Sequence, residues 1–191
     1  DCVIHMAALG SVPRSIDDPI QTNKVNVDGF LNVLNAANEK GVKRFVYSSS
    51  SSIYGDDPNL RKVEDKTGNP LSPYAVSKRT NELYARTFND LYDIEVIGLR
   101  YFNVFGPKQN IKGPYAAVIP IFITNLLNNE KCFINGDGSI TRDFTYVDNV
   151  VQANFLASTT ENKNAFGEIF NVAMGQTISL NQLYNSIEEN I

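Results

Sequence analysis

What constrains this chain most is the order of its apolar runs. Short stretches rich in Val, Ile, Phe and Tyr occur at 2–8, 43–50, 94–106 and 168–174, and each reads as a β-strand, that at 2–8 buried and that at 94–106 buried and leading into a loop. Helical patterns lie between them. "DGFLNVLNAANEKG" (28–41) sets Phe30, Leu31, Leu34 and Ala37 on one face, with Gly41 as the stop. Ser72 can cap, and Pro73 suits the first turn of, a helix over about 73–92. Between strand and helix, "DDPNLRKVEDKTGNPLSP" (56–73) is polar and rich in Pro, Gly and Asp, hence a loop.

The remaining pieces continue the theme. "YAAVIPIFITNLLNNE" (115–130) reads as a helix in which Pro120 marks a candidate start. Segment 132–149 reads as a strand, a Gly-Asp-Gly turn and a second short strand. A helix over 149–161, and a last one over 179–190 capped by Ser179, complete the chain. Alternation of this kind predicts an α/β fold, a doubly wound parallel sheet with helices on both faces. Ligands of such sheets bind beyond the carboxyl ends of the strands. That places interest on the loops at 6–14, 48–54 and 101–108.

Length and charge narrow the function. A chain of 191 residues is one domain or one and a part, and 42% hydrophobic residues suffice for a filled core. The net charge of −4 and the lack of a basic face argue against nucleic acid. Cys2 and Cys132 lie far apart and read as free cytosolic thiols; a single histidine, His5, argues against a histidine-based metal site. No apolar run reaches the roughly 18–20 residues that a membrane span needs. No signal peptide is visible, so a cytoplasmic location is expected. The chain opens in mid-strand, so it is expected to be part of a longer polypeptide.

Two stretches carry chemistry. In "SPYAVSKRTNELYA" (72–85), Tyr74 and Lys78 stand four residues apart and share a helix face. A free tyrosine titrates near pH 10, too high for a base at neutral pH, and a nearby ammonium stabilises phenolate. So tuned, Tyr74 can accept a proton from a sugar or alcohol hydroxyl. Upstream, "YSSSSSIYG" (47–55) places five consecutive serines at a strand end, where some hydroxyls face the cleft. Either stretch alone has an ordinary explanation: a packed tyrosine beside a solvated lysine, or a serine-rich loop. In this order, after successive strands, they become specific.

With "HMAALGSVPRSIDDP", "NVDGFLNVLNAA", "FVYSSSSSIYG", "SPYAVSK", "LRYFNVFGP", "NGDGSITRDFTYVDN" and "FNVAMG", the chain resembles the extended short-chain dehydrogenase/reductase family along essentially its whole length. The likeness is to its nucleotide-sugar epimerase/dehydratase branch, within that to UDP-N-acetylglucosamine 4-epimerases. The resemblance implies a partial Rossmann-like sheet over 1–107, with NAD as cofactor. It also implies a mainly substrate-binding region over 108–191, some of whose strands return to the sheet. Tyr74 resembles the catalytic base, Lys78 its phenolate-stabilising and ribose-binding partner, and Ser50 the catalytic serine. Ser51 and Ser52 would support the sugar. Met6, Ala7, Ala8, Asn26, Ser48, Tyr101 and Phe102 resemble cofactor-side residues. Gly10, Ser11 and Val12 would touch the sugar, and Asn103 a phosphate. Ala117 and Val118 would meet the nucleotide, Phe133 and Asn135 the uracil, and Arg142 the diphosphate, where its planar fork pairs two oxygens.

The resemblance also implies a UDP-sugar substrate, a homodimer built on the helices around 28–41 and 73–92, and no metal. Leu83, Tyr84 and Phe88 permit such a dimer. The family's glycine-rich phosphate loop and ribose-binding acid do not occur in this chain, nor does its late substrate arginine. Two other functions remain open. A nucleotide-sugar 4,6-dehydratase would usually need a threonine with an Asp-Glu pair in the serine region, which "SSSSSIYG" lacks. A non-catalytic nucleotide-binding member is disfavoured by the intact Ser50, Tyr74 and Lys78.

Overall fold

The computed structural model describes residues 1–111 and 117–191, which form two compact units. The first comprises residues 1–102 and 148–172, the second 103–147 and 173–191.

The first unit is a parallel sheet in the order β1-β2-β3-β7, made of Cys2–His5, Arg44–Ser50, Glu95–Tyr101 and Ile169–Val172. One face carries α3 (Gly29–Glu39) and α4 (Pro73–Leu91). Phe30, Leu34, Ala37, Ala85 and Phe88 from these helices close on Phe45, Tyr47 and Val96 of the strands. Because strand side chains alternate, Ile97 and Leu99 point the other way, toward Ala153 and Ala157 of α6 (Val147–Thr159). Both faces are thus covered, as a doubly wound sheet requires.

Several elements differ from expectation. β1 ends at His5, and residues 6–10 leave the sheet as an extended loop. Nor is β1 buried: it pairs only with β2 among the described residues, and Ile4 is 46% exposed. Two short helices, α1 (Val12–Asp17) and α2 (Pro19–Asn23), precede a π-helical turn at Lys24–Asp28 that runs into α3. The run 94–106 divides at Phe102 into β3 and a separate β4 (Asn103–Phe105).

In the second unit, β4 pairs in parallel with β6 (Phe144–Tyr146), and β5 (Thr141–Arg142) pairs antiparallel with β8 (Ile178–Ser179). Helix α5 (Val118–Leu127) meets α7 (Leu180–Glu188) through Phe122 and Tyr184, an edge-on ring pair 5.8 Å apart. Pro120 lies in the first turn of α5, and the expected start of this helix at 115–116 lies outside the described residues. The strand expected near 132–135 does not form, and Phe133 there is 82% exposed. The buried Asp143 carboxylate ties this unit together by accepting the amides of Met174 (2.9 Å) and Gly175 (2.8 Å).

Candidate active site

The carboxyl ends of β1, β2 and β3 bring the expected residues of the first unit to one rim. β2 ends in the serine run, which turns at Ser51–Tyr54 into a 3₁₀ turn capped by Ser50 Oγ accepting the Ser52 amide (3.2 Å). Helix α4 begins beside it, with Ser72 Oγ accepting the Ala75 amide (3.1 Å) and Pro73 in the first turn. Tyr74 therefore sits in the first turn of the helix, as its second residue, with its phenol by the Ser50 hydroxyl. Burial raises the phenol above the ordinary tyrosine value, and the Ser50 hydroxyl acts in the lowering direction. The lowering influence is thus Ser50, not the ammonium expected from the Tyr-x-x-x-Lys spacing.

The position of Lys78 explains the difference. Its head is buried, 3% exposed, and donates to the Ser48 carbonyl (2.8 Å) and Ser48 Oγ (3.3 Å). Burial drops its pKa from 10.5 to about 8, so it remains largely cationic at neutral pH. An ammonium has three N–H donors. Two are taken by Ser48.

Asn26, in the π-helical turn, is also buried. Its Oδ1 accepts the Leu9 amide (2.7 Å), and its Nδ2 donates to the Leu9 carbonyl and to Ser77 Oγ (3.2 Å each). One side chain so fastens the loop after β1 to helix α4, and π-helical turns often mark such positions. Met6, Ala7 and Gly10 on that loop are exposed and Ala8 is half-buried. Ser11 caps α1, its Oγ accepting the Arg14 amide, and Val12 opens that helix. At the end of β3, the Tyr101 hydroxyl accepts from Asn154 Nδ2 (2.8 Å) and donates to Met6 Sδ (3.4 Å), and the Phe102 ring lies 6.1 Å from Tyr54. Ser51 and Ser52 are half-buried. His5 packs its ring between Phe30 and Phe45.

The other expected residues belong to the second unit. Asn103 bonds the Asp143 carbonyl through both its amide (3.2 Å) and its side chain (3.0 Å). Ala117 is the N-cap of α5 and Val118 its first residue. Phe133 and Asn135 are exposed in irregular chain. Arg142 is exposed on β5 and donates to the Thr141 carbonyl (3.0 Å); the neighbouring Asp143 carboxylate is turned instead to the Met174 and Gly175 amides.

The family model for the NAD dependent epimerase/dehydratase family matches residues 1–173. The chain belongs to this family. A solved UDP-N-acetylglucosamine 4-epimerase from Methanobrevibacter ruminantium, in complex with UDP-N-acetylmuramic acid, is 41% identical with a TM-score of 0.94. The alignment covers 99% of this chain and 60% of that one. The UDP-glucose 4-epimerase of Mycolicibacterium smegmatis is 39% identical over 188 residues, 98% of this chain and 59% of that protein. The mouse dTDP-D-glucose 4,6-dehydratase is 37% identical over 183 residues, 96% of this chain and 50% of that protein. The chain thus spans only about three fifths of the length of its epimerase relatives.

The cofactor of the family is NAD, and the rim residues fit its nicotinamide-ribose end. Lys78 has one N–H beyond the two that Ser48 takes, which suits a ribose hydroxyl. The loop at 6–10 offers exposed backbone and a glycine whose missing side chain leaves open space. Among the described residues no cluster of His, Cys, Asp and Glu could hold a metal, and no helix is long and apolar enough to cross a membrane.

Sequence reasoning missed a buried ion pair directly behind the serines. Glu82 and Arg100 are 2% and 1% exposed and meet side by side, Nε to Oε1 at 2.8 Å and Nη2 to Oε2 at 3.0 Å. The available signal was position: Glu82 continues the Tyr74, Lys78 spacing by four more residues, and Arg100 follows the apolar run Val96–Leu99 within its strand.

Proposed function

We propose that the polypeptide carrying this sequence catalyses NAD-dependent 4-epimerisation of a UDP-N-acetylhexosamine, or of its uronic acid form, through a transient 4-keto sugar. The observation that carries this reading is the placing of the Tyr74 phenol by Ser50 at the strand rim, with buried, cationic Lys78 one turn further along the same helix. Ser50 holds the sugar's 4-oxygen in line with the phenol, and Tyr74 takes the hydroxyl proton as the C–H bond at C4 breaks. When bound, NAD supplies the acceptor and later the donor of the C4 hydride, and its cationic ring favours phenolate. Lys78 anchors the ribose and keeps a fixed positive charge on the helix. Tyr74 gives the proton back as the keto sugar is reduced from its opposite face.

Binding is assigned to the remaining residues. Gly10, Ser11, Ser51 and Ser52 take the sugar. In the second unit Asn103 and Arg142 take phosphate oxygens, and Ala117, Val118, Phe133 and Asn135 take the nucleoside. Similarity to the UDP-N-acetylglucosamine enzyme supports the sugar class. The protein acts as a homodimer. Leu83 and Tyr84 on α4 are 57% and 37% exposed and suit the contact, whereas Phe88 is 8% exposed and belongs to the core.

The test is to give the full-length polypeptide UDP-N-acetylglucosamine with NAD and identify the product by nuclear magnetic resonance. UDP-N-acetylgalactosamine is expected. A 4-keto-6-deoxy sugar would instead support a dehydratase, a reading kept in view by the mouse relative.

A further inference from the structure

Three consecutive serines of β2 meet three residues of α4. Ser48 receives Lys78, Ser50 lies by the Tyr74 phenol, and between them Ser49 Oγ donates to Glu82 Oε1 at 2.6 Å. Ser49 is 3% exposed, so this hydroxyl touches no solvent-borne group. Glu82 is saturated: besides Ser49 it accepts Arg100 through both oxygens and Arg79 Nη1 at 2.9 Å. Arg100 then reaches past the serines. Its Nη1 donates to the Tyr54 hydroxyl (3.0 Å) and the Glu64 carbonyl (2.9 Å), and Tyr54 donates to Asn171 Oδ1 (2.6 Å). One buried ion pair therefore holds both ends of residues 49–54, with Ser50 between them.

Stability gives little reason for such a pair. Burying two charges costs more than well-packed apolar residues of the same volume, and replacing such pairs by apolar residues is often neutral or favourable. Apolar side chains, however, could not fix a serine hydroxyl and a tyrosine hydroxyl at set positions. Resting on the function proposed above, we infer that Glu82 and Arg100 are positioning residues: through Ser49 and Tyr54 they hold the serine strand in the register with α4 at which Ser50 meets the Tyr74 phenol.

The test uses the full-length polypeptide with Ser49→Ala, which removes one hydroxyl, and Ser49→Thr, which keeps it. Two quantities are read: turnover of UDP-N-acetylglucosamine, and the Tyr74 phenol midpoint by ultraviolet difference titration against Tyr74→Phe. Ser49→Ala should lower kcat on the order of tenfold with KM changed by less than about twofold, since a slackened Ser50 affects proton transfer more than binding. The same variant should raise the phenol midpoint by roughly half a pH unit, because a displaced Ser50 hydroxyl lowers it less. Ser49→Thr should restore most of both. Wild-type kcat and midpoint in Ser49→Ala would overturn the inference, as would loss of activity that Ser49→Thr does not rescue. If the wild type turns over no UDP-hexosamine, the proposed function fails, and the midpoint alone decides the positioning: a rise supports it and no change overturns it.

Discussion

Lys78 pairs a chemical role with a thermodynamic cost. Its folded-state pKa of about 8 lies below its ordinary 10.5. Below pH 8 both folded and unfolded chains hold the proton, and the burial penalty is constant. Between pH 8 and 10.5 the folded chain gives up the proton first, so the unfolded state binds more protons and stability rises with pH. This one group should contribute up to about 3 kcal/mol across that window. Urea unfolding of the wild type and of Lys78→Met, compared across the same pH range, should show the rise only in the wild type. Arg142 offers a second test at this scale. Lysine keeps the charge but loses the two-pronged geometry, so Arg142→Lys should raise KM for the UDP-sugar roughly tenfold with kcat little changed. Spacing in the sequence picked out Tyr74, Lys78 and the serine run, because residues four apart on a helix must share a face. It could not pair Glu82 with Arg100 or turn Lys78 toward Ser48, because those partners come from other elements and only the folded sheet brings them together.

Among elements, the turn after the serines is the most demanding. Gly55 has φ of +50°, and a β-carbon there would strike the Asn69 carbonyl. Gly55→Ala should therefore cost about 2 kcal/mol or more in urea unfolding and lower turnover too, because the turn carries Tyr54 and ends the segment that holds Ser50. The long elements were legible. β2 and α4 form within a residue of their expected bounds, since a dense apolar run and a Ser-Pro helix start are both local signals. The short helices at 12–23 were not, although Ser11 with Pro13 and Asp18 with Pro19 mark their starts. Five- and six-residue helices show too little periodicity to stand out. That the end of 94–106, expected as a loop, forms a separate strand was hidden because β4 finds its partner about forty residues later, in β6.

For the whole molecule, the exposed face of α4 bears on assembly. If Leu83 and Tyr84 pair with a second copy, light scattering of the full-length protein should give twice the monomer mass, and Leu83→Glu should return it to one. Family membership follows from the match over residues 1–173, while the proposed chemistry depends on a proton passing between a sugar hydroxyl and Tyr74. The most direct test compares UDP-N-acetylglucosamine turnover by the full-length wild type and Tyr74→Phe, which removes only the phenolic oxygen. Removing a general base of this kind should slow turnover on the order of a hundred- to ten-thousand-fold while the variant stays folded. A Tyr74→Phe protein that epimerises the sugar at the wild-type rate would contradict the account.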